Sequence, residues 1–398
     1  MADADLCFTP ATELARRIRL RDLSPVEVTR AVLDRIDRIN PTVGAYCTVT
    51  ADLALEAART AEAAVPRGEP LGPLHGVPVS IKDMVATKGI RTTWGSRVFE
   101  RHVPAFDAPV VERLKRAGAI VLGKTNTPEF GHRGVTHNQV FGLTRNPWRL
   151  DHSPGGSSGG AGAAVAAGLG PLAVGTDGGG SIRIPASFCG IYGLKPSLGR
   201  VPIHPVVSGL EFLSHAGPMT RTVADAALML DVMAGPDDRD ISTIPAPADS
   251  FAAALRSLDV RGLRVAWSPT LGYAAVDREV ATACAHAVHV FERLGCVVEP
   301  VETVCDDPVA AWYLLFIGIF GAARRKDFAQ VRQLMEPSVV AMVEQCDATS
   351  ASDFLVAANE RRRLLQRVGE LLARYDLLVT PTMAVPPLPI GQDDQRVI

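Results

Sequence analysis

Apolar positions along the chain follow two different periods. Leu14, Ile18 and Leu20 mark a first helix, the pattern breaks at Asp22–Pro25, and Val28, Val32, Leu33 and Ile36 then share one helical face. Ser24, Pro25 and Glu27 form a start signal: a hydroxyl N-cap, a proline at the first helical position and an acid three residues after the cap. Pro41 is expected to stop this second helix. ADLALEAARTAEAAV, residues 51–65, reads as another helix. The texture changes at Leu71. Val77 to Ile81 is a short β-rich run that ends in Lys82 and Asp83. A helix over 109–117 leads through Gly118 into the buried strand AIVLG. Later, a strand at 263–267 precedes a helix over 277–294, Gly295 and the strand CVVEPV. A helix over 361–375 then leads into LLVT. Helices alternating with short apolar strands predict an α/β layer fold. No repeat of domain size and no low-complexity linker interrupts the pattern. A single domain over 1–398 is therefore expected, with a helical region at 1–70, a core at 71–202 and a further α/β body at 203–398.

Composition agrees with a globular chain. Of 398 residues, 47% are hydrophobic and 21% charged, enough to bury a large core. The 41 basic and 43 acidic residues leave a net charge of -2, so no basic excess points to nucleic acid. The 7 cysteines are odd in number and scattered, without a CxxC pair. This speaks against a disulfide framework and a zinc site, and a reducing, cytoplasmic setting is expected. The opening MADADLCFTP has no apolar signal core, and the most apolar stretch, Gly160–Gly175, is broken by Pro171 and too short to span a bilayer. No cofactor or metal is expected.

The chemistry concentrates at residues 153–187, SPGGSSGGAGAAVAAGLGPLAVGTDGGGSIRIPAS. Two clusters, GGSSGG and GGGS, place serine beside glycine. Glycine is costly to order, so such density marks a backbone that turns tightly or approaches a ligand closely. A helix is expected near Ala161–Ala167 and a strand near Val174. Neither cluster fits GxxxxGK[ST], and no GxGxxG follows a strand with a downstream acid, which argues against phosphate binding. No GxSxG surrounds Ser181, because Arg183 stands where its second glycine would fall. A serine nucleophile needs a base. His75, His132, His137, His152 and His215 remain candidates by residue type, and so does Lys82. Burying Lys82 at a strand end would depress its pKa from about 10.4 toward neutrality. A surface pair with Asp83 would leave it charged instead.

GVPVSIKD, GAIVLGKTNTPEF, TRNPW, GGSSGG, AVAAGLGPLAVGTD, GGSIRIPA and FCGIYGLKPSLGRVP occur in this order from about residue 74 to 202. Together they resemble the amidase signature family. The N-terminal helices and PTMAVPPLPI are similar to the same family. The resemblance implies a central mixed β-sheet covered by helices on both faces. It also implies a Ser-cisSer-Lys triad, with Ser181 as nucleophile, Ser157 as a bridging serine after a cis peptide bond, and Lys82 as base. The amides of Gly178, Gly179, Gly180 and Ser181 suit an oxyanion hole. Ser158, Asp177 and Arg183 are read as supporting residues. In some members an arginine at this place binds a substrate carboxylate, so Arg183 carries that second reading. Cys189 and Lys195 are read as structural, and Trp94 and Phe130 as either pocket lining or core.

Two departures stand out. The family usually has a β-branched or small polar residue where Gly178 stands, so a less preorganised loop is expected. It also normally continues beyond PTMAVPPLPI, whereas GQDDQRVI follows here, so an incomplete C-terminal part is expected. The implied activity is hydrolysis of a linear carboxylic amide, a small molecule, through an acyl-enzyme on Ser181. One alternative is the amidase subunit of a tRNA-dependent amidotransferase, which would have partner subunits. The other is a non-catalytic scaffold. A homodimer is left open.

Overall fold

The structure is a computed structural model, and residues 3–205 and 212–392 of it are described. GQDDQRVI lies outside the described residues from 393 onward, and with it the expectation placed on that end. The chain forms two compact units, one of Met1–Arg256 with the short returns Gln333–Glu336 and Pro387–Asp394, the other mainly of Ser257–Arg332 and Pro337–Pro386.

The strands of the first unit are β1 (Tyr46–Val49), β2 (Pro78–Lys82), β3 (Ile120–Thr125), β4 (His137–Asn138), β5 (Gly142–Leu143), β6 (Leu172–Asp177), β7 (Tyr192–Gly193) and β8 (His215–Thr220). Six of them form a sheet in the order β1-β3-β2-β6-β8-β7, while β4 and β5 pair alone. The neighbours β3, β2 and β6 run parallel, and the outer pairings are antiparallel, so the sheet is mixed. β2 and β3 are buried along their whole length, as their continuous apolar runs require of strands covered on both sides. Helices flank the sheet. The Ala-rich helix Gly159–Ala166 packs against β2, β3, β6 and β8, and its small side chains permit that closeness.

The start signal at Ser24 holds. Its hydroxyl accepts the N–H groups of Val26 at 3.0 Å and Glu27 at 3.3 Å, capping the helix Pro25–Val43. Pro41 does not stop that helix, which corrects the sequence reading. The proline stands in the last turn, where its fixed φ is helical and only one intrahelical bond is lost. The helix ends instead at Gly44, whose φ of 65° is left-handed and whose N–H reaches Asn40 O at 2.7 Å.

In the second unit β9 (Arg264–Trp267), β10 (Val297–Pro300) and β11 (Leu377–Val379) form a parallel sheet in the order β10-β9-β11. Asp277 caps the helix Arg278–Arg293 that leads into β10. The helix before β11 begins at Ala351, earlier than the apolar spacing predicts, because Ser350 and Asp353 form a capping box there. It packs on the apolar helix Val309–Ala322, and Pro337–Ala348 packs on the same partner.

Candidate active site

Parallel neighbours bring the C-terminal ends of β2, β3 and β6 to one edge of the sheet, the usual place for a ligand crevice in open α/β sheets. Lys82 is the last residue of β2 and is 0% exposed. Its Nζ donates to Ser157 Oγ at 2.6 Å and to Thr176 Oγ1 at 2.9 Å. Burial pushes its pKa down to about 7, against an opposing pull from the Asp177 charge. A surface pair with Asp83 is not formed, since Asp83 Oδ2 instead accepts Thr93 N–H at 3.1 Å and Thr93 Oγ1 at 2.6 Å.

Ser157 follows a cis Gly156–Ser157 peptide bond and is 2% exposed. The loop before it is pressed against residues 135–136. A Cβ on Gly156 would lie 2.6 Å from the Val135 carbonyl oxygen, a close approach that only glycine permits. Ser158 Oγ donates to Thr176 O at 3.1 Å and accepts Thr176 N–H at 3.2 Å, which pins the strand residue that holds Lys82. Thr176 was not singled out in the sequence. The available signal was the two-residue period of β6, which turns Thr176 and Asp177 to opposite faces.

Ser181 follows GGG after β6 and is partly exposed. Ser158 N–H donates to Ser181 O at 3.1 Å and ties the two serine loops together. Among the described residues there is a hydrogen bond between Lys82 and Ser157 but none between the hydroxyls of Ser157 and Ser181. Asp177 organises the second loop. It accepts Arg183 Nε at 2.9 Å and Arg183 Nη2 at 2.8 Å, Gly180 N–H at 2.7 Å and Ile182 N–H at 3.1 Å. Burial alone would raise its carboxyl, but Arg183 and these amides outweigh it and hold the group below its ordinary value. Arg183 is thus committed to Asp177 as a loop clamp. One expectation is corrected: Gly180 is not an available oxyanion donor, because its single N–H is already given to the Asp177 carboxylate.

The other candidates are turned elsewhere. His75 bonds the Ala61 carbonyl at 2.9 Å, His152 bonds Asp151 at 2.8 Å and His215 bonds the Leu213 carbonyl at 2.8 Å. His132 bonds the Glu129 carbonyl at 2.7 Å, and His137 meets Arg133 at 2.9 Å. Lys195 donates to the Pro196 carbonyl at 2.9 Å. Cys189 is buried and burial pushes its thiol up, which makes it a core residue rather than a nucleophile. Trp94 and Phe130 belong to an aromatic cluster with Phe99 and His102. Among the described residues no helix is long and apolar enough to cross a membrane, and no group of three or more His, Cys, Asp or Glu is placed to hold a metal ion.

The profile of the family described as Amidase matches residues 27–397. The chain belongs to the amidase signature family. An acylamidase of Rhodococcus erythropolis is 41% identical over 98% of this amidase chain and 82% of its own. In Carboxydothermus hydrogenoformans, one subunit of glutamyl-tRNA(Gln) amidotransferase is 38% identical over 98% of this chain and 85% of its own. Among solved structures, a bacterial aryl acylamidase of the amidase signature enzymes superposes with a TM-score of 0.90 at 32% identity, covering 97% of this chain and 82% of that one. The family supports amide hydrolysis, and the mixed sheet flanked by helices agrees with its known structures.

Proposed function

We propose that this amidase hydrolyses a linear carboxylic amide through an acyl-enzyme on Ser181, with Lys82 and Ser157 as its proton path. The observation that carries this reading is the 2.6 Å hydrogen bond from a fully buried Lys82 to Ser157, with the lysine held near neutrality by burial. Neutral Lys82 takes the Ser157 proton while Ser157 takes the Ser181 proton. Ser181 Oγ attacks the carbonyl carbon, and the oxyanion is received by the amides of Ser181 and Gly179. The proton returns through Ser157 to the leaving nitrogen as the carbon–nitrogen bond breaks. Water then cleaves the ester by the same path, giving a carboxylate and ammonia or an amine. The 41% identity to an acylamidase favours this free amidase.

A second reading, the amidase subunit of a tRNA-dependent amidotransferase, is favoured by the 38% identity to one subunit of such an enzyme. Co-purification of the tagged chain from its own cells separates the two: a stoichiometric partner supports the second, and its absence together with turnover by the isolated chain supports the first. The serine chemistry is tested with a fluorophosphonate probe and peptide mass spectrometry. Labelling is expected at Ser181 and lost in S181A. Labelling confined to another residue, or unchanged in S181A, overturns the reading.

A further inference from the structure

A lysine that must stay neutral near pH 7 has to be kept from water, because water restores its charged form. Thr176 Oγ1 accepts a second hydrogen bond from Lys82, and Asp177 is the charge that acts on the lysine. A Cβ on Gly131 would stand 3.0 Å from Ser157 Oγ and 2.6 Å from Met84 Sδ, so the Gly131 backbone and the Met84 thioether meet beside the bridging hydroxyl. Ser157 is 2% and Lys82 0% exposed, whereas Met84 is partly exposed. Met84 therefore forms, with Gly131, a layer packed beside the pair, and part of its surface is open to solvent.

That layer is anchored. Val85 N–H returns to Lys82 O at 2.9 Å, and Trp94 Nε1 donates to Met84 O at 3.0 Å. Trp94 N–H reaches Asp83 O at 2.9 Å, and Phe130 N–H reaches Trp94 O at 2.7 Å. Trp94 thus holds both walls, Met84 through one bond and the segment leading to Gly131 through another. Trp94 and Phe130 both have φ of 52°, a left-handed conformation that non-glycine residues adopt only where the surroundings impose it. Gly131, at φ 69°, supplies the close approach: any side chain there would separate the thioether from the serine.

We propose that Met84 is a water-excluding seal over the Lys82–Ser157 pair, a positioning residue for the amidase reaction. The proposal rests on the reading of Lys82 as base. Met84 takes no part in bond making. Its apolar, adaptable side chain denies water a place beside the lysine.

The test is the pH dependence of kcat/KM on p-nitroacetanilide and of the fluorophosphonate labelling rate, from pH 5 to 10, for wild type, M84Q and M84L. In M84Q a polar side chain brings water to the pair, and the acid limb is expected to move up by about one unit. The rate at pH 6 then falls about tenfold and returns to the wild-type level near pH 9. M84L keeps the layer apolar, and its limb is expected at the wild-type position. Circular dichroism confirms the fold of each variant, and M84A reads the same limb if M84Q does not fold. A uniform loss at every pH, or coincident profiles, overturns the proposal. Failure of S181A to abolish labelling would overturn the serine reading instead, so the two failures are distinguishable.

Discussion

Gly180 N–H donates to Asp177 Oδ1 at 2.7 Å, and this bond divides a loop that reads in sequence as four equivalent amides. One amide holds the loop to the carboxylate, while Gly179 and Ser181 are left as proposed oxyanion donors. Asp177 therefore shapes the loop that carries the proposed nucleophile. In D177N the charge and one acceptor oxygen are lost, and Gly180, Ile182 and Arg183 compete for what remains. We expect kcat to fall about 100-fold with little change in KM, the signature of weakened transition-state binding. Stability should fall by about 1–3 kcal/mol, since Arg183 is half-exposed and part of its pairing is screened. Steady-state kinetics and urea unfolding measure the two effects.

On the proposed reading, Lys82 sets the pH profile. It is held near 7, so it is protonated below that pH and neutral above it. Hydrolysis should rise with pH through about 7 and level off above. K82A should keep its fold and lose nearly all activity. K82R places a group there that stays charged throughout the accessible range, so it should be inactive at every pH. A wild-type limb near 10 would mean that burial does not depress this lysine.

Thr176 Oγ1 accepts a hydrogen bond from the lysine beside the one that Ser157 accepts. T176V keeps the shape and removes the acceptor. We expect about a tenfold loss of kcat, in the range of one net hydrogen bond to a charged or charging group. T176S should recover most of it. Equal activity of all three proteins would remove Thr176 from the site.

Gly178 is not in the left-handed region, and among the described residues a Cβ there would meet only the Leu213 carbonyl oxygen, at 3.7 Å. Gly178→Thr should therefore be accommodated. It should stabilise the fold by about 0.5–1 kcal/mol by restricting the unfolded chain, and raise kcat severalfold if the loop is the less preorganised one expected from sequence. Thermal unfolding and kinetics on the same preparation check both.

Lys124 is a second buried lysine. It donates to the Val85 carbonyl, to Thr87 Oγ1 at 2.8 Å and to Thr92 Oγ1 at 3.0 Å, tying down the chain that follows Lys82. Burial brings it down to about 8, against the favourable Asp83 charge. Its folded value lies below the unfolded one of about 10.4, so between these values the unfolded chain binds more protons and stability contributed at this site rises with pH. K124M should unfold more easily by about 2–3 kcal/mol at pH 7.5 through loss of these bonds. The gap between wild type and K124M should widen from pH 8 to 10, as read by denaturant unfolding at each pH.

Some of this was legible in one dimension. The alternation of helix and strand, the start signal at Ser24 and the serine-glycine clusters are local patterns, and local physics decides them. The apolar helix Val309–Ala322 carries no periodic signal, because a segment apolar on all sides has no distinct face. Pro41 looks like a stop in sequence and is not one, since its effect depends on where the helix would end anyway. Thr176 and Met84 lack any signature of their own. Their places depend on which strands lie side by side.

The sequence by itself determined the family, the mixed α/β class and the candidates Lys82, Ser157 and Ser181, because ordered motifs and residue chemistry survive as a linear string. Only the tertiary structure decided that Lys82 is fully buried, that Thr176 and Ser157 share its proton donors, that Gly180 is given to Asp177 and that Met84 and Ser157 meet at Gly131. The reason is physical: burial, and the assignment of each donor to one acceptor, are properties of neighbours, and the parallel ends of β2 and β6 bring Thr176 to Lys82 from 94 residues away, while the loop before the helix Gly159–Ala166 brings Ser157 from 75.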